Sequence, residues 1–202
     1  MSPQPETAVQ RPRIEGDREV EILEATIEVL VDVGYDRLTM DAVAHRSRAS
    51  KATLYRRWNS KLRLVMDALL SMKTAPELPD TGSLRGDLLS IMCGQGGVTD
   101  QEAVGTFGAV LTAIVRDPEF AEAFRDEFVG PKIAASRLIW ERARDRGEVR
   151  EDLDLELIEP ALAGICLHRV FLMGEQPTED LIGRVIDQII LPAALPHPEE
   201  MK

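Results

Sequence analysis

Residues 39–63, TMDAVAHRSRASKATLYRRWNSKLR, carry the local signals that decide the fold. Thr39, Ser50 and Ser60 each stand immediately before a stretch with apolar residues at helical spacing. Serine and threonine in that position cap a helix, because the hydroxyl oxygen accepts a hydrogen bond from a free backbone N–H of the first turn. A helix, a turn of about three or four residues and a second helix make a helix-turn-helix motif. The predicted helices cover about 40–46, 51–58 and 61–73.

The same stretch is basic in an acidic protein. Between Arg37 and Arg63 the chain carries eight lysine and arginine side chains and one carboxylate, Asp41, which gives a net charge of +7. The whole chain has 24 basic and 35 acidic residues, and its net charge is −11. A local basic face on an acidic protein is typical of phosphate binding. An ordinary solvated face would not explain the scarcity of carboxylates, so the stretch predicts a nucleic-acid partner.

The first turn of the helix at 51–58 has the composition of a recognition helix. That turn approaches base edges in the major groove, so it needs small or polar residues. Ser50 caps it, and Ala52 permits close approach to the DNA. Lys51 reaches guanine acceptors or phosphate, and Thr53 suits a base edge or a thymine methyl group.

The remaining residues of this helix divide between an inner and an outer face. Leu54 and Trp58, four positions apart, are expected to face inward and pack against the first helix. Tyr55 and Arg56 stay on the outer side, where a hydroxyl and a guanidinium suit phosphate oxygens. His45, on the preceding helix, is a further candidate phosphate contact.

The order and spacing of these residues match a known family. The stretch GYDRLTMDAVAHRSRASKATLYRRWNSKLRLVMDAL resembles the DNA-binding domain of TetR-type (tetracycline-repressor-type) transcriptional regulators, over about residues 16–73. The resemblance rests on Gly34 followed by an aromatic residue, Thr39, Ala44, Ser50, the Leu54–Tyr55 pair, an aromatic residue at 58, and Lys61. It implies phosphate contacts from Thr39, Tyr55 and Lys61 and base recognition by residues 50–55.

One position departs from the family pattern. Family members usually have Ala-Gly in the turn, where this chain has Ser47 and Arg48. Glycine serves a left-handed backbone position there, and another residue costs about 1 kcal/mol in that conformation. Arg48 is predicted to offset this cost through a phosphate contact.

The apolar periodicity is helical nearly throughout, which predicts an all-α fold. The first helix is expected over about 16–33, with Gly34 at its C-terminal cap. We predict a disordered arm at 1–13, a helix-turn-helix domain at 14–74 and a helical domain at 84–195, joined by a linker with two prolines. Helices of the second domain are predicted near 84–94, 100–115, 118–129, 131–146, 154–173 and 178–191, with Pro131 as an interruption or kink.

The last two predicted helices carry the residues expected at a subunit interface. The TetR resemblance implies that they form a four-helix contact with a second copy, which makes the protein a homodimer. The sequence agrees, because residues 182–190 carry an apolar stripe wider than a lone surface helix needs. Core packing within one subunit is the alternative for this stripe. The predicted interface residues are Leu162, Ile165, Ile182, Val185, Ile186 and Ile189.

All five phenylalanines lie in the second half of the chain, and three of them, at 120, 124 and 128, share one helix face. Such a stripe is typical of a core. The family resemblance nevertheless implies an effector cavity in this domain, and a mostly apolar lining favours a small lipophilic effector. The predicted lining residues are Met92, Phe107, Leu111, Phe124, Phe128, Trp140, His168 and Phe171.

The resemblance therefore predicts a ligand-responsive transcriptional regulator, most often a repressor, that binds a palindromic double-stranded DNA operator as a homodimer and leaves it when an effector binds. A helical protein-interaction module without DNA binding is one alternative. An enzyme is another, but the sequence has no nucleophile–base pair, phosphate loop or metal motif. The basic segment at 37–63 argues against both.

Composition sets further limits. The three histidines are scattered, and Cys93 and Cys166 form no CxxC pair, so we predict no metal and no cofactor. The sequence contains no run of about 18 apolar residues, so we predict no membrane-spanning helix. The N-terminal sequence lacks the apolar stretch of a signal peptide, and two unpaired cysteines favour a reducing compartment. These features predict a cytoplasmic protein.

Overall fold

The computed structural model describes residues 15–72, 78–94 and 97–196, and within these ranges the chain forms only helices and the turns between them. The all-α prediction is confirmed. The helices are α1 (Glu15–Arg37), α2 (Met40–Arg46), α3 (Lys51–Arg57), α4 (Lys61–Ser71), α5 (Leu84–Cys93), α6 (Gln101–Arg116), α7 (Pro118–Ala123), α8 (Gly130–Asp145), α9 (Leu155–Met173), α10 (Glu179–Val185) and α11 (Leu191–Ala194). The predicted arm at 1–13 and the C-terminal tail lie outside the described residues.

Gly34 breaks α1, as the sequence predicts. Its backbone has φ 74° and ψ 164°, a conformation that only glycine adopts without cost, and one further turn follows it. The N–H of Leu38 donates to the Gly34 carbonyl at 3.1 Å. The break turns the chain and leads it into Thr39, the cap of α2.

Two short π-helical segments interrupt the second half, and each is followed closely by a proline. They cover Phe124–Val129 and Ile186–Ile190. The prolines are Pro131 in α8 and Pro192 in α11. A proline has no N–H and clashes with the carbonyl of the preceding turn. A widened turn gives that carbonyl room, so the chain stays helical across the position where the sequence predicts an interruption.

The core has two parts, and the boundary between them does not follow the linker. The first part joins α1–α4 to residues from the middle of the chain: Val110, Ala113, Phe120 and Phe124. The second part is built from α5, from the C-terminal half of α8 and from the chain that follows it. Thus α6 and α7 share a core with the helix-turn-helix. No helix of the described chain has the length and apolar composition that a bilayer crossing requires.

Candidate nucleic-acid interface

A side-chain hydroxyl caps the N-terminus of each helix of the motif. The Thr39 Oγ1 accepts a hydrogen bond from the Ala42 N–H at 3.1 Å, and the Ser50 Oγ accepts one from the Thr53 N–H at 3.1 Å. The hydroxyls of Ser50 and Thr53 also lie 2.8 Å apart and share a hydrogen bond. Both predicted caps are confirmed. Thr39 is exposed and keeps its own hydroxyl proton, which is available to donate to a phosphate oxygen.

The turn between α2 and α3 holds Arg48 in the left-handed conformation, with φ 53°. The left-handed position expected from the family pattern is therefore confirmed. Arg48 has a Cβ and adopts this conformation at an energetic cost. Before it, the Ser47 hydroxyl donates to the Val43 carbonyl at 2.8 Å. From α1, the Arg18 Nη2 donates to the Ser47 carbonyl at 2.7 Å. These two side-chain contacts fix the turn without glycine.

Helix α3 presents its outer face to solvent. Leu54 is fully buried and Trp58 is 1% exposed, so both face inward as predicted. On the outside, Ala52 and Arg56 are exposed, and the Tyr55 side chain is 54% exposed. This arrangement leaves the first turn and the Tyr55–Arg56 edge open to a duplex. His45 is also exposed, on the last turn of α2.

Lys61 stands at the first position of α4, beside Tyr35. Its Nζ donates to the Tyr35 carbonyl at 3.1 Å and lies 4.0 Å from the centre of the Tyr35 ring. Burial, with a smaller contribution from nearby carboxylates such as Asp117, raises the pKa of Tyr35 to about 12. The tyrosine stays neutral, and it holds the ammonium group at the start of a helix, where phosphate also binds well.

Carboxylates from α1 neutralise part of the basic segment. Arg46 donates to Glu28 at 2.9 Å and to Asp32 at 2.7 Å. Arg57 donates to Glu19 at 2.9 Å. The net charge of +7 that the sequence gives for 37–63 therefore overstates the positive charge of the surface. These pairs are exposed, so each contributes little to folding stability.

Four cations of the segment make no ion pair among the described residues, and two of them, Arg37 and Lys61, donate to backbone carbonyls instead. Arg48 and Arg56 are exposed and make no ion pair within the described parts of the chain. Lys51 is exposed as well, but its Nζ donates to Asp41 at 2.5 Å. Among the predicted DNA contacts, Arg48 and Arg56 are thus the most available for phosphate.

Sequence reasoning missed one set of polar residues at this site. Arg63 contacts Glu127 and Asp67, and Asp67 accepts a hydrogen bond from the Trp58 indole. The spacing of Arg63 and Asp67 is visible in the sequence as an i, i+4 pair. Glu127 lies 64 residues away, and no local pattern connects it to them.

Four of the eight predicted effector residues form one aromatic cluster. The ring centroid of Phe107 lies 6.0 Å from that of Phe124 and 5.9 Å from that of Phe171. Phe128 stacks on Phe124 with centroids 4.8 Å apart. Leu111 is half-buried one turn further along α6.

The other three predicted effector residues lie apart from this cluster. Trp140 is 1% exposed in the second core, and Met92 packs against the same core. His168 is exposed on α9. The eight residues are therefore divided between two cores and the surface, because helical spacing does not tell which core a buried face joins.

Four of the six predicted interface residues are buried inside a single subunit. Ile182 and Ile186 are fully buried, Leu162 is 4% exposed and Val185 is 6% exposed, and all four pack in the second core. For these four, the alternative of core packing describes the structure. Ile165 is half-buried, and Ile189 is 47% exposed.

Helix α9 exposes an apolar stripe whose two leucines are not among the predicted interface residues. Leu157 is 73% exposed and Leu172 is 74% exposed. Gly164 and His168 are exposed between them, at helical spacing on the same face. A Cβ built on Gly164 meets no atom within 4 Å, so the middle of the stripe is open.

The chain is similar over most of its length to known regulators. The family model described as bacterial regulatory proteins, tetR family, matches residues 22–68, and the model described as tetracyclin repressor-like, C-terminal domain, matches residues 78–189. An uncharacterised HTH-type transcriptional regulator of Mycobacterium tuberculosis is 37% identical over 180 residues, which cover 87% of each chain.

Two further matches extend this similarity. A DNA-binding transcriptional repressor named TetR, from Mycobacteroides abscessus, is 33% identical over 181 residues, 86% of this chain and 92% of that protein. The crystal structure of a TetR family transcription regulator aligns with a TM-score of 0.57 and 26% identity, over 89% of this chain and 100% of that one.

Proposed function

The chain belongs to the TetR family of bacterial DNA-binding transcriptional regulators, and from this premise we propose that it is a repressor, a homodimer that binds a palindromic operator and leaves it when a small lipophilic effector binds. The observation that carries the DNA part of the proposal is α3, whose small, polar first turn stands open while Leu54 and Trp58 anchor it from behind. In this proposal the protein is located in the cytoplasm, where it binds DNA.

The proposed DNA contacts divide by chemistry. Lys51, Ala52 and Thr53 read base edges from the first turn of α3, and Ser50 sets its orientation. The remaining contacts are to phosphate and fix the register on the duplex. They come from Thr39, His45, Arg48, Tyr55, Arg56 and Lys61.

The exposed stripe of α9 is the proposed centre of the dimer. Leu157 and Leu172 supply apolar area, and Gly164 lets two α9 helices approach closely where they cross. Ile165 of α9 and Ile189 of the second π-helical segment are the two residues of the predicted interface that one subunit leaves half-buried or exposed, and we keep them in the proposed interface. A two-fold axis through this contact repeats each residue on the partner. It also sets the two α3 helices about 34 Å apart, one turn of B-DNA.

The aromatic cluster of Phe107, Phe124, Phe128 and Phe171 is the proposed effector site. Its composition suits a lipophilic molecule.

Release from the operator requires a difference in effector affinity between two states. To move occupancy from 99:1 to 1:99, the effector must prefer the unbound state by about 5.5 kcal/mol. In a homodimer with two effector sites, each site supplies part of this free energy. The shared core of α1–α4, α6 and α7 supports the proposal. Phe124 packs in this core, so a shift of its ring would displace side chains of the DNA-binding motif.

Selection of bound duplexes from a random DNA library tests the DNA-binding part. The expected result is a palindromic consensus with half-sites one helical turn apart. A variant with both Tyr55→Ala and Arg56→Ala serves as the control, since both residues are exposed and their loss leaves the fold intact. An enriched single half-site would contradict the dimer, and no enrichment at low salt would contradict operator binding.

A further inference from the structure

A continuous chain of polar contacts runs from the regulatory half of the protein to the end of α3. Glu127 accepts two hydrogen bonds from the Arg63 Nη1, at 3.0 and 3.2 Å. The Arg63 Nη2 donates to the Asp67 Oδ1. The second oxygen of Asp67 accepts a hydrogen bond from the Trp58 Nε1 at 2.9 Å. Four side chains from three separate segments are thereby joined.

Each end of this chain has a fixed position. Trp58 is the C-terminal cap residue of α3 and is 1% exposed, so its indole is packed in the core at the end of the helix. Glu127 belongs to the π-helical segment Phe124–Val129. The same segment contributes Phe124 and Phe128 to the aromatic cluster. One segment thus meets the proposed effector site through its rings and the DNA-binding motif through its carboxylate.

Arg63 suits the middle position because its planar guanidinium donates in two directions at once. Hydrogen bonding to Asp67, and less strongly to Glu127, raises the pKa of Arg63 above its ordinary value. The side chains of Arg63 and Glu127 are 44% and 36% exposed. Exposed pairs contribute little to folding stability. Loss of this contact is therefore expected to leave the protein folded.

We propose that Glu127, Arg63 and Asp67 are positioning residues that transmit the state of the Phe124–Val129 segment to Trp58 and so set the orientation of α3. The inference rests on the proposed function only in taking α3 as the helix that reads DNA. Repacking of Phe124 or Phe128 shifts Glu127, which releases or redirects Arg63. Asp67 then changes its hold on the Trp58 indole.

The indole N–H of Trp58 provides a direct readout. The chain has two tryptophans, so a ¹H–¹⁵N spectrum of the full protein shows two indole signals, which a Trp140→Phe variant assigns. Glu127→Gln is expected to shift the Trp58 signal by more than a linewidth. Asp126→Asn is the matched control, because Asp126 is the exposed neighbour and makes no ion pair within the described residues. Arg63→Lys keeps the positive charge but loses the planar guanidinium that donates in two directions. It is expected to act like Glu127→Gln.

Binding to a duplex selected by the wild-type protein completes the test. Glu127→Gln is expected to bind about threefold to tenfold more weakly than Asp126→Asn, the usual size for residues that couple two sites. An unmoved Trp58 signal overturns the proposal, and so does a moved signal with equal DNA affinity in both variants. If the wild type selected no duplex, the proposed function would fail, and the indole signal alone would decide whether the contacts are coupled.

Discussion

The ring of Tyr35 packs against the ring of Phe120, with centroids 4.4 Å apart and planes inclined at 51°. Tyr35 follows the Gly34 break at the end of α1, and Phe120 lies in α7. Phe120 in turn packs on Phe124, at 6.0 Å. The pair thus joins the helix that supports the DNA-binding motif to the aromatic cluster proposed for the effector. Lys61, a proposed phosphate contact, lies against the same Tyr35 ring.

Removal of the Phe120 ring is expected to destabilise both halves of the protein together. Phe120 is fully buried, so Phe120→Ala should lower the free energy of unfolding by about 3–5 kcal/mol. Phe120→Leu keeps most of the volume and loses the ring contact, for a loss of about 0.5–1.5 kcal/mol. Urea unfolding followed by circular dichroism measures both. A loss below about 1 kcal/mol for Phe120→Ala would show that the first core does not depend on this contact.

The left-handed backbone at Arg48 predicts a stabilising substitution. Arg48→Gly relieves the strain at φ 53° and is expected to raise the free energy of unfolding by about 1 kcal/mol. Arg48→Ala removes the guanidinium and keeps the strain, so it should give no gain. Both variants should bind DNA with a weaker salt dependence if Arg48 contacts phosphate. Equal stability of the two variants would count against strain at this position.

Lys61→Ala is expected to weaken binding to all DNA sequences alike. The loss of one phosphate contact in each half-site lowers the slope of log K against log salt by roughly one unit per half-site. Fluorescence anisotropy at several salt concentrations measures the slope. Arg184→Ala, at an exposed cation of α10, is the control and should leave the slope unchanged. An unchanged slope for Lys61→Ala would refute its phosphate role.

A charge in the α9 stripe is expected to separate the subunits. Leu172→Asp places two carboxylates in the proposed two-fold interface, where burial of an unpaired charge is costly. Sedimentation equilibrium at micromolar concentration should show a monomer. Val115→Asp introduces the same charge at a residue that is 85% exposed on α6, and it should remain dimeric. A Leu172→Asp dimer would place the interface on another face.

The aromatic cluster predicts binding of a neutral apolar dye. N-phenyl-1-naphthylamine fluoresces when it leaves water, so titration with the protein measures its affinity. Phe171→Ala is expected to weaken binding about tenfold, or about 1.4 kcal/mol, because one ring is lost from the lining. Val115→Ala is the control on the surface of α6. The same affinity in both variants would move the effector site away from Phe171.

Local features of the motif follow directly from the sequence. Thr39, Ser50 and Ser60 cap α2, α3 and α4 as predicted, and Gly34 ends the regular part of α1. Each of these features depends on hydrogen bonds or backbone preferences within about four residues, so neighbouring side chains are enough to specify it. The same holds for the inward face of α3, which the spacing of Leu54 and Trp58 sets.

Features that depend on which surfaces meet follow only from the tertiary structure. The apolar stripe at 182–190 is equally suited to a core and to an interface, and packing against α5 and α9 decides for Ile182 and Ile186. The charge of the basic segment is visible in its composition, but its partial neutralisation depends on where α1 lies.

The sequence by itself thus determined the all-helical fold, the helix-turn-helix with its caps, and the inner and outer faces of α3, because each is encoded by periodicity or by contacts within one or two turns. The tertiary structure decided that α6 and α7 share a core with that motif and that Glu127 meets Arg63 across 64 residues. Burial and long-range ion pairs depend on how whole helices pack, and no local pattern specifies that packing.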